Sequence, residues 1–245
     1  MLDYSNYLKT GESKLKNKWW KTLILAVMAG MFIALAGAAS QMASFAIKNA
    51  SIAKMLSGVV FPIGLMMVVL LQTELFTGNS LLSILVFKKE AKVSKVLLNW
   101  LIVYIGNLIG GVLIATLIHF SGILNNEVLK EFVVNAAIKK SSLTFINAFV
   151  LGVLCNILVC IAVFLASNGK NAVEKILVIF FPIMLFIIMG FEHSVANMYF
   201  LSIGIMEKNI GIGNILFNNL LPVTLGNIVG GVIFSLAIWL LNKEN

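Results

Sequence analysis

The sequence predicts an all-α integral membrane protein in which six spans form two inverted halves of three. Of its 245 residues, 60% are hydrophobic and only 11% are charged, a balance that excludes an ordinary water-soluble domain. Six apolar stretches are long enough to cross a hydrocarbon core of about 30 Å. Polar motifs recur at matching places in the two halves of the chain. Together these observations predict a repeated site inside the membrane.

The spans are predicted at residues 20–46, 56–87, 96–120, 143–167, 173–205 and 211–242. Their length favours helices, because backbone polar groups inside a bilayer must be satisfied within the segment, and no alternation with a period of two residues suggests barrel strands. A polar, lysine-rich stretch without a cleavage site precedes the first span, which we expect to stay uncleaved. The expected domains are a cytoplasmic segment at 1–19 and one transmembrane channel domain at 20–242.

The distribution of lysines predicts the orientation of the chain. All 18 basic residues are lysines, which fits membrane topology better than nucleic-acid recognition, where arginine usually dominates base contacts. Twelve of them lie in the N-terminal segment, the second and fourth inter-span loops and the C-terminus, and six lie on the opposite side. The positive-inside rule then places both termini in the cytoplasm.

Three pairs of segments relate the two halves, residues 20–120 and 143–242. The pairs are Thr22, Ala26 and Gly30 with Thr144, Ala148 and Gly152; Glu74 and Asn79 with Glu192 and Asn197; and Asn99 and Gly106–Val112 with Asn219 and Gly226–Val232. Three spans per half is an odd number, so the halves cross the membrane in opposite directions. Inverted repeats of this kind bind solutes near the midplane, where paired helices break. The glycine runs predict close helix packing.

Spans 2 and 5 carry carboxylates where a bilayer tolerates them least. A charged side chain near the bilayer centre costs roughly 2.5 to 3.5 kcal/mol on insertion scales. We therefore expect Glu74, Glu192 and the adjacent His193 to face protein or water. The two carboxylates are expected to cap backbone N–H groups or to orient neighbouring side chains, a structural role that they share with Asn79 and Asn197.

Both of these spans are longer than a straight crossing needs, so we predict that both are broken helices. In span 2 the residues Thr77, Gly78 and Asn79 are poor formers of a helix interior, and glycine adds backbone freedom. The sequence therefore predicts that the first break falls at 77–79.

These motifs closely resemble those of the formate/nitrite transporter family, whose members are pentameric channels for formate, nitrite or hydrosulfide. The matching elements follow the family's order over residues 15–240 and are Glu74–Asn79, Cys155–Cys160 after Gly152, Gly190–Tyr199 and Gly226–Gly231. The resemblance implies a homopentamer of aquaporin-like protomers in a bacterial or archaeal inner membrane. Each protomer would have its own pore, with apolar constrictions around a central histidine.

The resemblance also implies which residues line the pore. The polar and charged ones are His193, Thr77, Asn156 and a vestibule lysine, Lys140. The constrictions fall on Phe61 and Leu65 toward the periplasm and on Leu75, Phe76 and Phe186 toward the cytoplasm, with a gating loop at about 75–79. Gln72 and Thr73 depart from the family, which usually has small residues there.

The expected chemistry follows from the cost of dehydrating an anion in a narrow apolar pore. Lys140 raises the local anion concentration, and His193 donates a hydrogen bond or a proton so that the solute can pass as the neutral acid. Thr77 and Asn156 complete a hydrogen-bonding cage, or else satisfy backbone groups at the breaks.

Three other functions compete with this hypothesis. A proton-coupled secondary transporter of a weak acid would use the same residues, so the sequence leaves it open. A water or polyol channel would need paired Asn-Pro-Ala motifs and a selectivity arginine, and the chain has no arginine. A membrane enzyme or redox subunit is disfavoured because the chain has two histidines and no nucleophile–base set or metal cluster. We therefore expect neither cofactor nor metal. The physiological anion, the direction of transport and gating by the N-terminal segment stay open.

Overall fold

The computed structural model describes residues 4–243, and all regular secondary structure in that range is helical, with no strand. The described chain contains six helical segments long and apolar enough to cross a membrane: Trp19–Ser44, Ala50–Leu70, Val93–Phe120, Phe145–Ser167, Ala172–Met189 and Ile212–Leu241. The prediction of six spans is confirmed. Span 2 begins six residues earlier than predicted because the Asn49 side chain accepts hydrogen bonds from the first helical N–H groups and starts the helix there.

The helices follow the order expected for two halves. Those of the first half are α1 (Ser5–Lys16), α2 (Trp19–Ser44), α3 (Ala50–Val60), α4 (Ile63–Leu70), α5 (Phe76–Asn79), α6 (Ser83–Phe87) and α7 (Val93–Phe120). Those of the second half are α8 (Glu127–Ser141), α9 (Phe145–Ser167), α10 (Ala172–Met189), α11 (Ser194–Lys208), α12 (Ile212–Ile215) and α13 (Leu221–Leu241). A 3₁₀ turn joins α5 to α6, another precedes α8, and a π turn joins α12 to α13.

Glycines bring the first and last spans of each half into backbone contact. A Cβ atom at Gly110 of α7 would collide with the carbonyl oxygen of Val27 in α2. In the same way, a Cβ atom at Gly230 of α13 would collide with the carbonyl oxygen of Val153 in α9. The structure thus confirms that the glycine runs serve close helix packing.

The same contacts correct the predicted register between spans 1 and 4. Gly106 lies against Ala26, whereas its repeat partner Gly226 lies against Gly152. Ala26 therefore corresponds to Gly152, not to Ala148, and the predicted alignment is wrong by one helical turn. The reason is that small residues recur every four positions in both helices, so their spacing fits two registers equally well.

Both of the predicted breaks are present, but the first one lies earlier than expected. It occupies residues 71–75, and Phe76–Asn79 form the helical turn α5, so the predicted unwinding at 77–79 and the loop at 75–79 are wrong. The second break occupies residues 190–193. Each break has one residue in the left-handed region, Gln72 with φ 52° and Gly190 with φ 72°. Backbone conformation, rather than poor helix formers, therefore marks where the chain turns.

We predict that Gly190→Ala lowers the free energy of unfolding by about 1–2 kcal/mol, because a left-handed backbone is strained for a residue with a Cβ atom. That Cβ atom would meet nothing within 4 Å, so the loss is conformational and not steric. Thermal or denaturant unfolding of the purified protein in detergent measures it.

Gly213→Ala provides the control, since a Cβ atom there also meets nothing within 4 Å and the residue is helical. It should leave stability unchanged or slightly raised. Equal stability of the two variants would contradict the argument.

Candidate functional site

The first break holds a buried carboxylate that a lysine from outside the span neutralises. Glu74 is 1% exposed. Lys14, in the last turn of α1, places its Nζ atom 3.0 Å from Glu74 Oε2 and 2.7 Å from Asn79 Oδ1. Asn79 Nδ2 donates to Glu74 Oε2 at 2.6 Å and to Asn99 Oδ1 at 2.9 Å. Glu74 Oε2 and both polar atoms of the Asn79 amide therefore have charged or amide partners.

The second break repeats this cluster with the same four residue types. Lys140, in the last turn of α8, places Nζ 2.9 Å from Glu192 Oε1. Asn197 Nδ2 donates to Glu192 Oε2 and, at 2.7 Å, to Asn219 Oδ1. Asn219 Nδ2 donates to Glu192 Oε2 at 3.2 Å. The inverted repeat thus extends beyond the spans to the two short helices that carry the lysines.

Lys14 is a site residue that the sequence did not predict, because its charge was interpreted only as part of the N-terminal segment. The sequence signal for this lysine lay in the alignment of span 1 with span 4. The offset that relates Ala26 to Gly152 also relates Lys14 to Lys140. A correct alignment of spans 1 and 4 therefore identifies the second lysine.

The backbone at each break is satisfied by an asparagine of the last span in its half. Asn107 Oδ1 accepts from Phe76 N at 2.9 Å, and its Nδ2 donates to the carbonyl oxygen atoms of Ala26 and Glu74. The cap explains why a helix starts at Phe76 although poor helix formers follow.

Asn227 repeats this arrangement with Ser194 N, at 2.9 Å, and with the carbonyl oxygen atoms of Gly152 and Glu192. Of the two roles expected for Glu74 and Glu192, the hydrogen bonds show the second, the orienting of neighbouring side chains. Their carboxylates orient asparagine and lysine side chains, and the amides act as the caps.

The centre of the site joins the two breaks through one hydrogen bond. His193 Nε2 lies 2.9 Å from Thr77 Oγ1, and both side chains are buried. His193 Nδ1 accepts a hydrogen bond from Ala196 N at 3.0 Å, which caps α11. Nδ1 therefore carries no proton, and the neutral ring donates its Nε2 proton to Thr77. The Thr77 hydroxyl then keeps its own hydrogen for another acceptor.

Asn156 lies beside this centre on α9. Its Nδ2 donates to Ser80 Oγ at 2.9 Å and to the carbonyl oxygen of Asn227. That carbonyl belongs to the continuous helix α13 and not to a break, so the two roles that the sequence left open for Asn156 stay predictions. The Asn156 Oδ1 atom, Ser194 Oγ and Asn197 Oδ1 are buried polar atoms without a hydrogen-bond partner among the residues described. These oxygen atoms can accept hydrogen bonds from a solute or from water.

Aromatic and aliphatic side chains surround the centre. All five of the predicted constriction residues are at most 3% exposed: Phe61, Leu65, Leu75, Phe76 and Phe186. The Phe186 ring is stacked on the His193 ring, with centroids 5.9 Å apart. It also meets the Phe61 ring edge-on, with centroids 5.6 Å apart. Phe76 packs instead on Tyr104, at 4.9 Å. The structure therefore groups Phe186 with Phe61, not with Phe76 as predicted, because Phe186 lies at the break end of α10.

A cavity of about 620 Å³ leads from α1 to the first break, and Glu74, Leu75 and Asn79 are in its wall. Four lysines also line it: Lys9, Lys14, Lys21 and Lys175. The excess of positive charge gives the cavity a potential that attracts anions.

Comparison with known proteins agrees with this geometry. The family model described as "Formate/nitrite transporter" matches residues 3–241. The "Probable formate transporter" of Methanothermobacter thermautotrophicus is 37% identical, over 93% of this chain and 90% of that protein. "Formate channel FocA" of Escherichia coli (strain K12) is 32% identical, over 92% and 88%.

Two solved structures share the fold. One, "Pentameric formate channel with formate bound", has a TM-score of 0.84 and 30% identity, over 93% of this chain and 98% of that chain. The other, "FNT family ion channel", has a TM-score of 0.89 and 26% identity, over 98% and 99%. Because the family model matches nearly the whole length of this chain and the broken spans are in place, this chain belongs to the formate/nitrite transporter family.

Proposed function

We propose that this protein is a membrane channel for small monovalent anions such as formate, nitrite or hydrosulfide. The observation that carries the proposal is the hydrogen bond between His193 and Thr77, which places a donor pair where the two broken spans meet. Membership of the family and the formate named for two relatives and one solved structure support it.

His193 acts in this proposal as a hydrogen-bond donor held in its neutral form. A second proton on Nδ1 would face the N–H of Ala196 and break the cap of α11. The neutral ring can give up its Nε2 proton only if another proton reaches Nδ1, because the imidazolate is too basic to form. The resting geometry therefore favours hydrogen bonding of the anion by Thr77 and His193 over direct protonation.

The two lysines serve as electrostatic entrances on opposite faces of the membrane. α1 precedes span 1 and α8 connects spans 3 and 4, so three crossings separate them. Lys14 and Lys140 are each about one-fifth exposed, and each shares its charge with a buried glutamate. An anion that approaches Nζ gains attraction there without fully displacing the carboxylate.

Apolar residues separate the entrances from the centre. Phe61, Leu65 and Phe186 form one constriction, and Leu75 and Phe76 form the other. Closely packed apolar side chains exclude hydrated ions by dewetting. A small anion that sheds its water must then find the donors at His193 and Thr77.

We further propose a homopentamer in a bacterial or archaeal inner membrane, with both termini in the cytoplasm. One of the two solved relatives is a pentameric channel, which supports the assembly, and the lysine distribution supports the orientation. Residues 1–19 are the cytoplasmic segment, and residues 20–242 form the channel domain.

Uptake of formate, nitrite and hydrosulfide into proteoliposomes tests the function. We predict that at least one anion permeates and that Thr77→Val slows its uptake at least tenfold, because the donor beside His193 is lost. Thr77→Ser keeps a hydroxyl and should retain most of the activity. His193→Asn keeps a side-chain hydrogen-bond donor but cannot carry a proton between solutes, so it should leave the pH dependence of uptake unchanged if His193 acts by hydrogen bonding alone.

Failure of all three anions while water or a cation passes would overturn the proposal. Uptake driven against an anion gradient by an imposed pH gradient would favour the proton-coupled transporter instead.

The lysine entrances give a separate prediction. Lys14→Met leaves Glu74 charged and buried, which should cost about 3 kcal/mol of stability. The double variant Lys14→Met with Glu74→Gln should recover most of that stability and still take up the anion several-fold more slowly than the wild type. Unfolding and uptake are measured on the same preparations.

Lys16→Met is the control, because Lys16 is exposed and its ion pair is with Glu12, an exposed residue one turn earlier in α1. It should affect neither measurement. Wild-type uptake by the double variant would remove Lys14 from the transport path.

A further inference from the structure

A hydrogen bond joins Tyr104 of α7 to Thr224 of α13, outside the clusters at the two breaks. The two hydroxyl oxygen atoms lie 2.9 Å apart. The register that relates the capping amides Asn107 and Asn227 also relates Tyr104 to Thr224, because each lies three residues before its amide. The midpoint of a contact between two such equivalent residues lies on the pseudo-two-fold axis, which runs in the membrane plane. The bond is therefore at the depth at which the two broken spans meet.

The Tyr104 ring packs on Phe76, one of the two residues of the proposed constriction at the first break. The ring planes meet at 76°, edge to face, with centroids 4.9 Å apart. Trp100, one turn earlier in α7, contacts the same ring edge-on at 6.4 Å, and its Nε1 atom donates to the carbonyl oxygen of Asn79 at 2.8 Å. Two rings on one face of α7 thus contact Phe76, and a hydrogen bond holds each of them.

The second half has no such pair of rings. Ser194 corresponds to Phe76, because the two capping amides accept hydrogen bonds from their N–H groups. Thr224 corresponds to Tyr104, so a small hydroxyl residue stands in the second half wherever the first half has one of these two rings. Edge-to-face contact of aromatic rings is directional, and it favours one arrangement of the pair. The aromatic pair is therefore a feature of the first break alone.

We propose that Tyr104 and Thr224 are positioning residues that set the width of the constriction at Phe76, and with it the size of the carboxylate that passes. A phenylalanine side chain turns about two torsions, so a constriction that it forms is as wide as its neighbours allow. The Tyr104 ring stops Phe76 from turning aside, and the bond to Thr224 stops Tyr104 from giving way. Formate passes this constriction, whereas the methyl group of acetate requires Phe76 to move. This role rests on the proposed anion channel.

Uptake of formate and acetate into proteoliposomes tests the role through the ratio of the two rates, which does not depend on the amount of folded protein. We expect Tyr104→Ala to raise the acetate-to-formate ratio about fivefold, because a change of one small group in an apolar passage alters discrimination by at least this order. Tyr104→Phe and Thr224→Val should each raise the ratio about twofold, since each removes the same hydrogen bond.

The double variant of Tyr104→Phe with Thr224→Val should match the single variants, because one shared bond cannot be lost twice. Thr224→Ser keeps the hydroxyl and should keep the wild-type ratio. Tyr104→Phe and Thr224→Val remove no more than a hydroxyl and replace one with a methyl group, so the result does not depend on the folding of Tyr104→Ala.

Thr116→Val and Tyr199→Phe make the same chemical changes elsewhere and serve as matched controls. The Thr116 hydroxyl donates to the carbonyl oxygen of Val112 in its own helix at 2.9 Å, and the Tyr199 hydroxyl donates to Gln41 Oε1 at 3.3 Å. Both controls should keep the wild-type ratio. A wild-type ratio in Tyr104→Ala, or an equal change in the controls, overturns the proposal.

A second measurement reads Phe76 directly and needs no transport. A fluorinated phenylalanine is placed at position 76 of the full chain in nanodiscs, and its fluorine NMR spectrum is recorded. We expect one resonance in the wild type and in Tyr199→Phe, and a second or exchange-broadened resonance in Tyr104→Ala. One sharp resonance in Tyr104→Ala overturns the positioning role. A wild type that takes up neither carboxylate overturns the selectivity together with the channel for carboxylates, whereas the spectra still decide whether Tyr104 holds Phe76.

Discussion

The structure depends on one constraint: each broken span leaves backbone groups and a carboxylate inside a bilayer, and the protein itself must satisfy both. Side-chain amides of α7 and α13 take the places of the missing helical hydrogen bonds. Lysines delivered from outside the spans neutralise the two carboxylates. Without these partners, irregular backbone at this depth would cost several kcal/mol for each unsatisfied group. The close glycine contacts serve the same end, because they bring the capping amides within reach.

The proposed function rests on a place where the two halves differ. The register that relates Glu74 to Glu192 places Leu75 opposite His193 and Thr77 opposite Val195. One half therefore supplies the histidine and the other the hydroxyl, and neither has a polar copy. The repeat builds a symmetric scaffold around two satisfied breaks, and the departure from symmetry creates a single donor pair at its centre.

The spans, the repeat and the polar motifs could be predicted from the sequence because hydrophobic length and recurring residue types encode them directly. The register of spans 1 and 4 could not, since alanine and glycine at four-residue intervals fit two alignments. The position of the first break depends on a capping amide 31 residues away along the chain. The helix propensity of the residues around the break carries no information about that contact. Lys14 lies in a segment whose charge has an obvious topological meaning, and its pairing with Glu74 spans 60 residues. The ring contact of Phe186 with Phe61 joins the two halves of the chain, so no local pattern could reveal it.

The order of the partners along the chain has a consequence for biosynthesis. Lys14 precedes Glu74, and Lys140 precedes Glu192, so each lysine leaves the ribosome before the carboxylate that it neutralises. A carboxylate entering the membrane during translation can therefore meet a countercharge that has already been made. The capping amides Asn107 and Asn227 come later, which means that each half can close its break only when its last span arrives.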